Sequence, residues 1–244
     1  MMNKEEKEAR LLICEIGRRL YQRNYVAAND GNISVLLSDG TIIATPTNVS
    51  KGYMNEEMLV KLDLKGNVLS QGLRPSSEIK MHLRVYNENS NVSGIVHAHP
   101  PISTSFAIAG IALDQPISPE AIVNLGVVPI APYATPSTNE VADSIAPFCN
   151  THTAVLLANH GALTWGKDLM EAYFRMESLE HVANMTMITN FVIGRVNVLS
   201  QRQVDKLALM REKMDLIAAV MPKGAKTESN LGNFISLSEG KEII

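Results

Sequence analysis

The chain has 244 residues, 45% of them hydrophobic and 19% charged, with a formal net charge of −3. That length suits one domain with a sizeable core, and the weakly acidic balance gives no electrostatic footing on nucleic acid or an anionic membrane. No apolar run is long enough to cross a bilayer, and the start, MMNKEEKEAR, is too charged for a signal peptide, so a cytoplasmic location is expected. Cys14 and Cys149 are spaced for neither a disulfide framework nor a metal-binding pair and read as buried, reduced thiols.

Leu12, Ile13, Ile16 and Leu20 recur at helical spacing and predict an amphipathic helix over residues 4–23. Asn29-Asp30-Gly31-Asn32 breaks this pattern as a turn. Two β-like runs, 33–37 and 41–45, flank Ser38-Asp39-Gly40 and predict a hairpin. A second hairpin is expected from 59–64 and 68–69 about Lys65-Gly66-Asn67. Ser76 or Ser77 can cap a helix running to residue 87. Residues 93–98 read as a strand stopped by Pro100-Pro101, with a helix to residue 109 after it, since proline is tolerated in a first turn. After a loop around Pro116 and Pro119 and one helical turn, 127–133 reads as extended. Residues 139–149 read as helix, 154–158 and 162–165 as strands, 168–193 as a long helix and 201–220 as a last one. This irregular alternation predicts a mixed sheet with helices on both faces, in one domain spanning residues 1–221. Residues 222–244 are polar and Gly-rich, a tail whose order depends on docking.

His97-Ala98-His99 carries the most chemistry. On a strand, residues two apart point to the same face, so both imidazoles can reach one ion. Two solvent-facing histidines on an edge strand would give the same pattern. His160 also leaves the end of a buried run, 154–158, and Gly161 after it permits a tight turn that aims the ring. Glu78 offers a carboxylate at the start of the helix after Ser77, although a Glu there is favoured by the helix dipole whatever the function. Three histidines and a carboxylate together make a site for zinc or manganese. His82, in mid-helix, and His181, one turn after Glu177, read as packed or hydrogen-bonded residues, and His152 as a loop residue.

Gly31-Asn32, Thr47-Asn48 and Ser76-Ser77 are polar turns at the edges of predicted elements. Their hydroxyls, amides and backbone N–H groups can bind a phosphate without a basic patch, though the same residue types build ordinary turns and caps. Lys51 could add a charge to such a site, though a solvated surface lysine would read the same way. Every lysine sits in a polar or turn context, which gives no support to a Schiff-base mechanism.

In this order, Gly31-Asn32-Ile33-Ser34, Thr45-Pro46-Thr47, Pro75-Ser76-Ser77-Glu78, His97-Ala98-His99, Ala131-Pro132-Tyr133 and Asn159-His160-Gly161 resemble the class II aldolase/adducin family, over residues 5–195. The resemblance implies a single-domain α/β/α sandwich with a mostly antiparallel central sheet and a cytoplasmic homotetramer. It implies one divalent metal ion per subunit, zinc first and manganese second, held by Glu78, His97, His99 and His160. The substrate phosphate would be held by Asn32, Thr47, Ser76 and Ser77, with Gly31 and Asn48 in the same turns. The implied activity is reversible cleavage of a ketose 1-phosphate, a deoxypentulose or 6-deoxyhexulose phosphate, to dihydroxyacetone phosphate and an aldehyde. Glu78 would move the proton at C3 of that product; Glu120 would take the proton of the aldehyde oxygen, or be a surface glutamate at a helix start. Related activities are methylthioribulose 1-phosphate dehydration and pentulose phosphate 4-epimerisation; a non-enzymatic adducin-like module would lack the full ligand set. The chain departs from fuculose-phosphate aldolase in having Thr47-Asn48 for its Thr-Gly, Ser118-Pro119-Glu120 where that enzyme has a tyrosine, and no tyrosine after Tyr173.

Overall fold

Strand pairing organises the computed structural model, which describes residues 3–213. The strands are β1 (Asn32–Leu36), β2 (Thr41–Ala44), β3 (Val60–Asp63), β4 (Gly94–Ala98), β5 (Ile130–Ala131), β6 (Ala154–Leu157) and β7 (Gly161–Gly166). They form one seven-stranded sheet in the order β3-β2-β1-β4-β7-β6-β5. Every pairing is antiparallel except that of β5 with β6.

Adjacent residues on the strands point to opposite faces, and both faces are apolar. On one face Ile33, Ile43, Val96 and Leu156 meet α1 (Lys4–Gln22), α3 (Pro101–Ala109) and α5 (Leu169–Met187), through residues such as Ile16, Phe106 and Met176. On the other, Ile42, Ile95, Val155 and Trp165 meet α2 (Ile79–Glu88) and α4 (Asn139–Ile145), through Met81, Val85 and Ile145. The result is the expected α/β/α sandwich with a mostly antiparallel sheet. Asn3 caps α1 and Asp168 caps α5 through side-chain oxygens, and Gly110 ends α3 in the left-handed region. A sixth helix, α6 (Gln201–Lys213), follows. Both cysteines are buried free thiols. No helix among the described residues is long and apolar enough to cross a membrane.

The differences from the expected elements have local causes. The strand expected over 127–133 shrinks to two residues because Pro129 and Pro132 flank it and neither can donate to a ladder. The second hairpin is reduced to a single bridge between Leu62 and Val68. The helix expected over 139–149 tightens to a 3-10 turn (Ala146–Phe148) where Pro147 enters. The helical turn after Pro119 and the end of the long helix are π-helical, at Ala121–Leu125 and Ile188–Ile193. Residues 214–220 of the last predicted helix and the tail 222–244 lie outside the described residues.

The start of α5 crosses β4 at backbone contact. A Cβ at Gly94 would lie 2.4 Å from both Cα and N of Leu169. Gly94→Ala must therefore push α5 off the sheet and is expected to cost about 1–3 kcal/mol, as overpacking does. Thermal unfolding followed by circular dichroism checks this, and an unchanged Tm would mean that the contact is soft.

Candidate metal centre

Each of four side chains reaches one point from a different piece of backbone. His97 is the fourth residue of β4 and is wholly buried; His99 lies just past the strand's end. His160 belongs to the turn between β6 and β7. Glu78 is the N-cap of α2, one residue earlier than a first-turn position, and Ser76 supports it by accepting a hydrogen bond from its backbone N–H at 3.3 Å. The three imidazole rings lie edge to face with centroids 4.8–4.9 Å apart, and one nitrogen from each falls within 4.8 Å of the others. Glu78 closes the group, with Oε2 3.3 Å from His97 Nε2 and Oε1 3.1 Å from His160 Nε2.

The turn that aims His160 works differently from the expectation. Its left-handed residue is Asn159, at φ 58°, not Gly161. Gly161 is needed for close approach instead, since a Cβ there would stand 2.5 Å from His99 Cδ2 and 2.7 Å from the Ala98 carbonyl oxygen.

The donor set fits a divalent cation. His97 Nδ1 donates to the Ala162 carbonyl at 2.9 Å, which leaves Nε2 to offer its lone pair to an ion once any proton there is lost. His99 Nδ1 lies 3.3 Å from the Asp30 carboxylate, which selects the same tautomer. The two Nε2 atoms then face each other at 3.1 Å beside the Glu78 carboxylate. Acceptors so placed repel unless positive charge lies among them. Without an ion that charge is a proton: against the effect of burial Glu78 raises the His97 pKa, and against its own burial the Glu78 carboxyl is held well below its ordinary range by His97 and His160, as hydrogen-bond donors. Burial, then the charges of His97 and His160, push His99 down to about 3, which keeps it a neutral ligand.

A pocket of about 220 Å³ opens beside the cluster, lined by the three polar turns together with Asp30, Lys51, Glu78, His99 and His160. Asp30 was not expected there, and Lys51 follows the first of its two readings. Asp30 had been read only as part of a turn. Lys51 is not a solvated lysine: it is 1% exposed, and its Nζ donates to the carbonyls of Asn29 (2.8 Å) and Val49 (2.7 Å). No local pattern marks it, because both acceptors belong to neighbouring turns. Asn48 takes φ 58°, so it keeps a backbone form that glycine adopts freely. Asn32 is 2% exposed, and its amide is shared with Ser76 and Glu78. His82 is buried and hydrogen-bonded, as expected. His181 is exposed on α5 and His152 lies in a loop. Glu120 is also exposed, in cavities that share no lining residue with the pocket of Glu78.

Comparison with known proteins gives the family. The family described as Class II Aldolase and Adducin N-terminal domain matches residues 12–187. The chain belongs to the class II aldolase/adducin family. Within it, the chain is 35% identical over 187 residues to a 3-oxo-tetronate 4-phosphate decarboxylase of Pectobacterium atrosepticum, covering 75% of this chain and 85% of that one. It is 34% identical over 180 residues to an L-fuculose phosphate aldolase of Methanococcus maripaludis, covering 72% and 94%. Among solved structures it resembles Escherichia coli YgbL, with TM-score 0.79, 32% identity and coverage of 84% and 99%. An L-fuculose 1-phosphate aldolase superposes with TM-score 0.78 at 29% identity, covering 86% and 97%. Class II aldolases typically depend on a divalent metal, and the histidine cluster of this member could hold one.

Replacing His99 or His160 by alanine is expected to abolish stoichiometric metal while leaving the circular dichroism spectrum unchanged. Gly161→Ala should weaken metal uptake too, by displacing the His99 ring. Metal analysis of the purified proteins reads both effects; a His160→Ala protein with a full complement of metal would remove His160 from the ligand set.

Proposed function

We propose that this protein is a divalent-metal-dependent carbon–carbon lyase that cleaves a phosphorylated keto sugar or keto acid next to its ketone and releases dihydroxyacetone phosphate. The observation that carries this reading is the convergence of His97, His99, His160 and Glu78 beside a pocket that the last three help to line and whose other wall is made of polar turns. Zinc suits three imidazoles and one carboxylate best, with manganese the second choice. A bound ion would act as a Lewis acid towards the substrate's ketone and adjacent hydroxyl oxygens, where negative charge collects as the bond breaks.

The chain's own residues do the rest. Gly31, Asn32, Thr47, Asn48, Ser76 and Ser77 surround the place for the phosphate. Among the residues lining the pocket, Lys51 is the sole Lys or Arg, so it supplies the positive charge for that dianion. Glu78 holds or moves the proton at C3 of dihydroxyacetone phosphate.

Two leaving fragments are compatible with this site. Aldol cleavage of a ketose 1-phosphate breaks C3–C4 and releases an aldehyde. Decarboxylation of a 3-keto acid 4-phosphate breaks C1–C2 and releases carbon dioxide. In both, the electron pair stays on the carbon beside the ketone, and protonation there gives dihydroxyacetone phosphate. In the aldol reading Glu120 serves the aldehyde oxygen. Because Glu120 lines separate cavities, it would do so at the pocket of an adjoining subunit of a homotetramer. That same separation favours decarboxylation as the second reading, since loss of carbon dioxide needs no acid at a departing aldehyde.

Incubation with fuculose 1-phosphate, 5-deoxyribulose 1-phosphate, 3-oxo-tetronate 4-phosphate and methylthioribulose 1-phosphate tests the proposal. Dihydroxyacetone phosphate is the expected product from at least one of the first three, lost with a chelator and restored by zinc or manganese. A dehydrated diketone or a 4-epimer, with no dihydroxyacetone phosphate from any of them, overturns it.

Lys51 adds a pH dependence. Burial lowers its pKa to about 8, against the pull of Asp30 and Glu78, so its charge is present below that pH and lost above it. KM for the phosphorylated substrate is therefore expected to rise as pH passes upward through about 8. In Lys51→Met the same KM should be higher at neutral pH and lack this step, which steady-state kinetics at a series of pH values would show.

A further inference from the structure

Two elements face each other behind the metal centre with matching periodicities. Asn32 and Ser34 are two apart on β1 and share its face towards α2. Glu78, His82 and Tyr86 are spaced by four residues along α2 and its cap, which places them in one row. Ser34 and His82 have no solvent exposure at all, and Tyr86 is 5% exposed.

The hydrogen bonds between these rows have a direction that can be worked out from one end. A carboxylate has no proton to give, so Asn32 must turn its amide nitrogen to Glu78 Oε2, at 2.8 Å. The same nitrogen lies 3.2 Å from Ser76 Oγ. The Asn32 carbonyl then faces His82 Nε2 at 2.6 Å, which makes Nε2 the donor. Burial, then the charge of His97, press the His82 pKa down to about 3, so the ring is neutral and Nδ1 accepts. Its donor is the Ser34 hydroxyl at 2.7 Å. Ser34 has then used its one hydrogen, so Tyr86 Oη, 2.7 Å away, donates to Ser34 Oγ. Every link runs from Tyr86 towards Glu78. Reversing any one of them would set two hydrogens or two lone pairs against each other in a buried place, at a cost of about 1–3 kcal/mol.

We propose that His82, with Ser34 and Tyr86 behind it, is a positioning residue that fixes the Asn32 amide and, through it, the orientation of the Glu78 carboxylate at the metal centre. The proposal rests on the metal-dependent reading above, but the hydrogen-bond direction exists without the ion. His82 hydrogen-bonds to Asn32 and Ser34 and does not line the pocket, so its hydrogen-bonded route to Glu78 runs through Asn32. Partners of this kind behind metal ligands are worth about 10–100-fold in metal affinity.

Two measurements test it. In 15N-histidine-labelled, metal-free protein, the His82 ring signals can be assigned by through-bond correlation of the ring to the His82 backbone. They are expected to show the neutral Nε2–H tautomer at neutral pH; an Nδ1–H tautomer or an imidazolium overturns the proposal. The second measurement is titration of metal-free protein with Co2+, followed by visible absorption. His82→Met fills similar space but cannot donate to Asn32, and is expected to weaken Co2+ binding by about 10–100-fold and to shift the absorption band. His82→Gln keeps an N–H and a carbonyl, and is expected to recover most of that affinity. Equal weakening in the two variants would mean that His82 only fills space, and would overturn the proposal. If neither variant folds, the tautomer of the parent protein decides. A parent protein that takes up no Co2+ overturns the metal centre and this proposal with it, whereas the wrong tautomer overturns this proposal alone.

Discussion

Imidazole lone pairs and a carboxylate crowd one corner of the molecule, and crowded acceptors repel unless a positive charge lies among them. The cluster of His97, His99, His160 and Glu78 therefore needs positive charge among its acceptors, whether a proton shared with Glu78 or a metal ion. What holds it together is rigid backbone. His97 lies in the central strand, directly opposite Asn32 of β1 on one side and Leu163 of β7 on the other. A slip of one residue in either pairing would turn His97 to the opposite face, against α1 and α5, and dismantle the centre. The two apolar faces of the sheet prevent that slip, because it would also move Ile95 and Val96 to the wrong cores. Hydrophobic alternation thus guards the chemistry.

Much of this was legible in the sequence because it depends on short periods. Alternation of two placed His97 and His99 together, and the glycine-marked turn at Ser38-Asp39-Gly40 set the pairing of β1 with β2. Apolar runs marked the strands, and their ends marked His160. The less legible features depend on contacts between distant segments. The buried Lys51 ammonium donates to the Asn29 carbonyl as well as to nearby Val49, and Asp30 matters because His99 turns its Nδ1 that way. Gly161 was read as a turn former, whereas Asn159 makes the turn and Gly161 makes room. That distinction requires knowing where the His99 ring lies.

Glu78, His82 and Tyr86 show the boundary between the two cases. Their spacing of four was visible in the chain, as was the spacing of two between Asn32 and Ser34. Neither spacing means anything until α2 is laid across β1, after which all five side chains link into one row. His82 alone looks like an ordinary packed histidine, and by contact it is one. Its role in the proposed row comes from which nitrogen carries the hydrogen, a property that no residue pattern records.

On the reading proposed here, this rigidity has a chemical purpose. Aldol cleavage and decarboxylation differ in the fragment that leaves, but both demand that the breaking bond stand perpendicular to the plane of the ketone, so that its electron pair overlaps the carbonyl π system, and that one base meet one carbon. A carboxylate free to rotate would serve proton transfer at several atoms and select none. Held through Asn32, Glu78 keeps one oxygen towards His160 and the other towards His97, so the direction from which it can approach a bound substrate is set before the substrate arrives. The phosphate turns and Lys51 fix the other end of the same short molecule. With both ends held, the fragment that leaves is decided by what can be accommodated beyond the reacting carbon. One arrangement of Glu78, Asn32 and the phosphate turns can therefore serve relatives that release an aldehyde and relatives that release carbon dioxide.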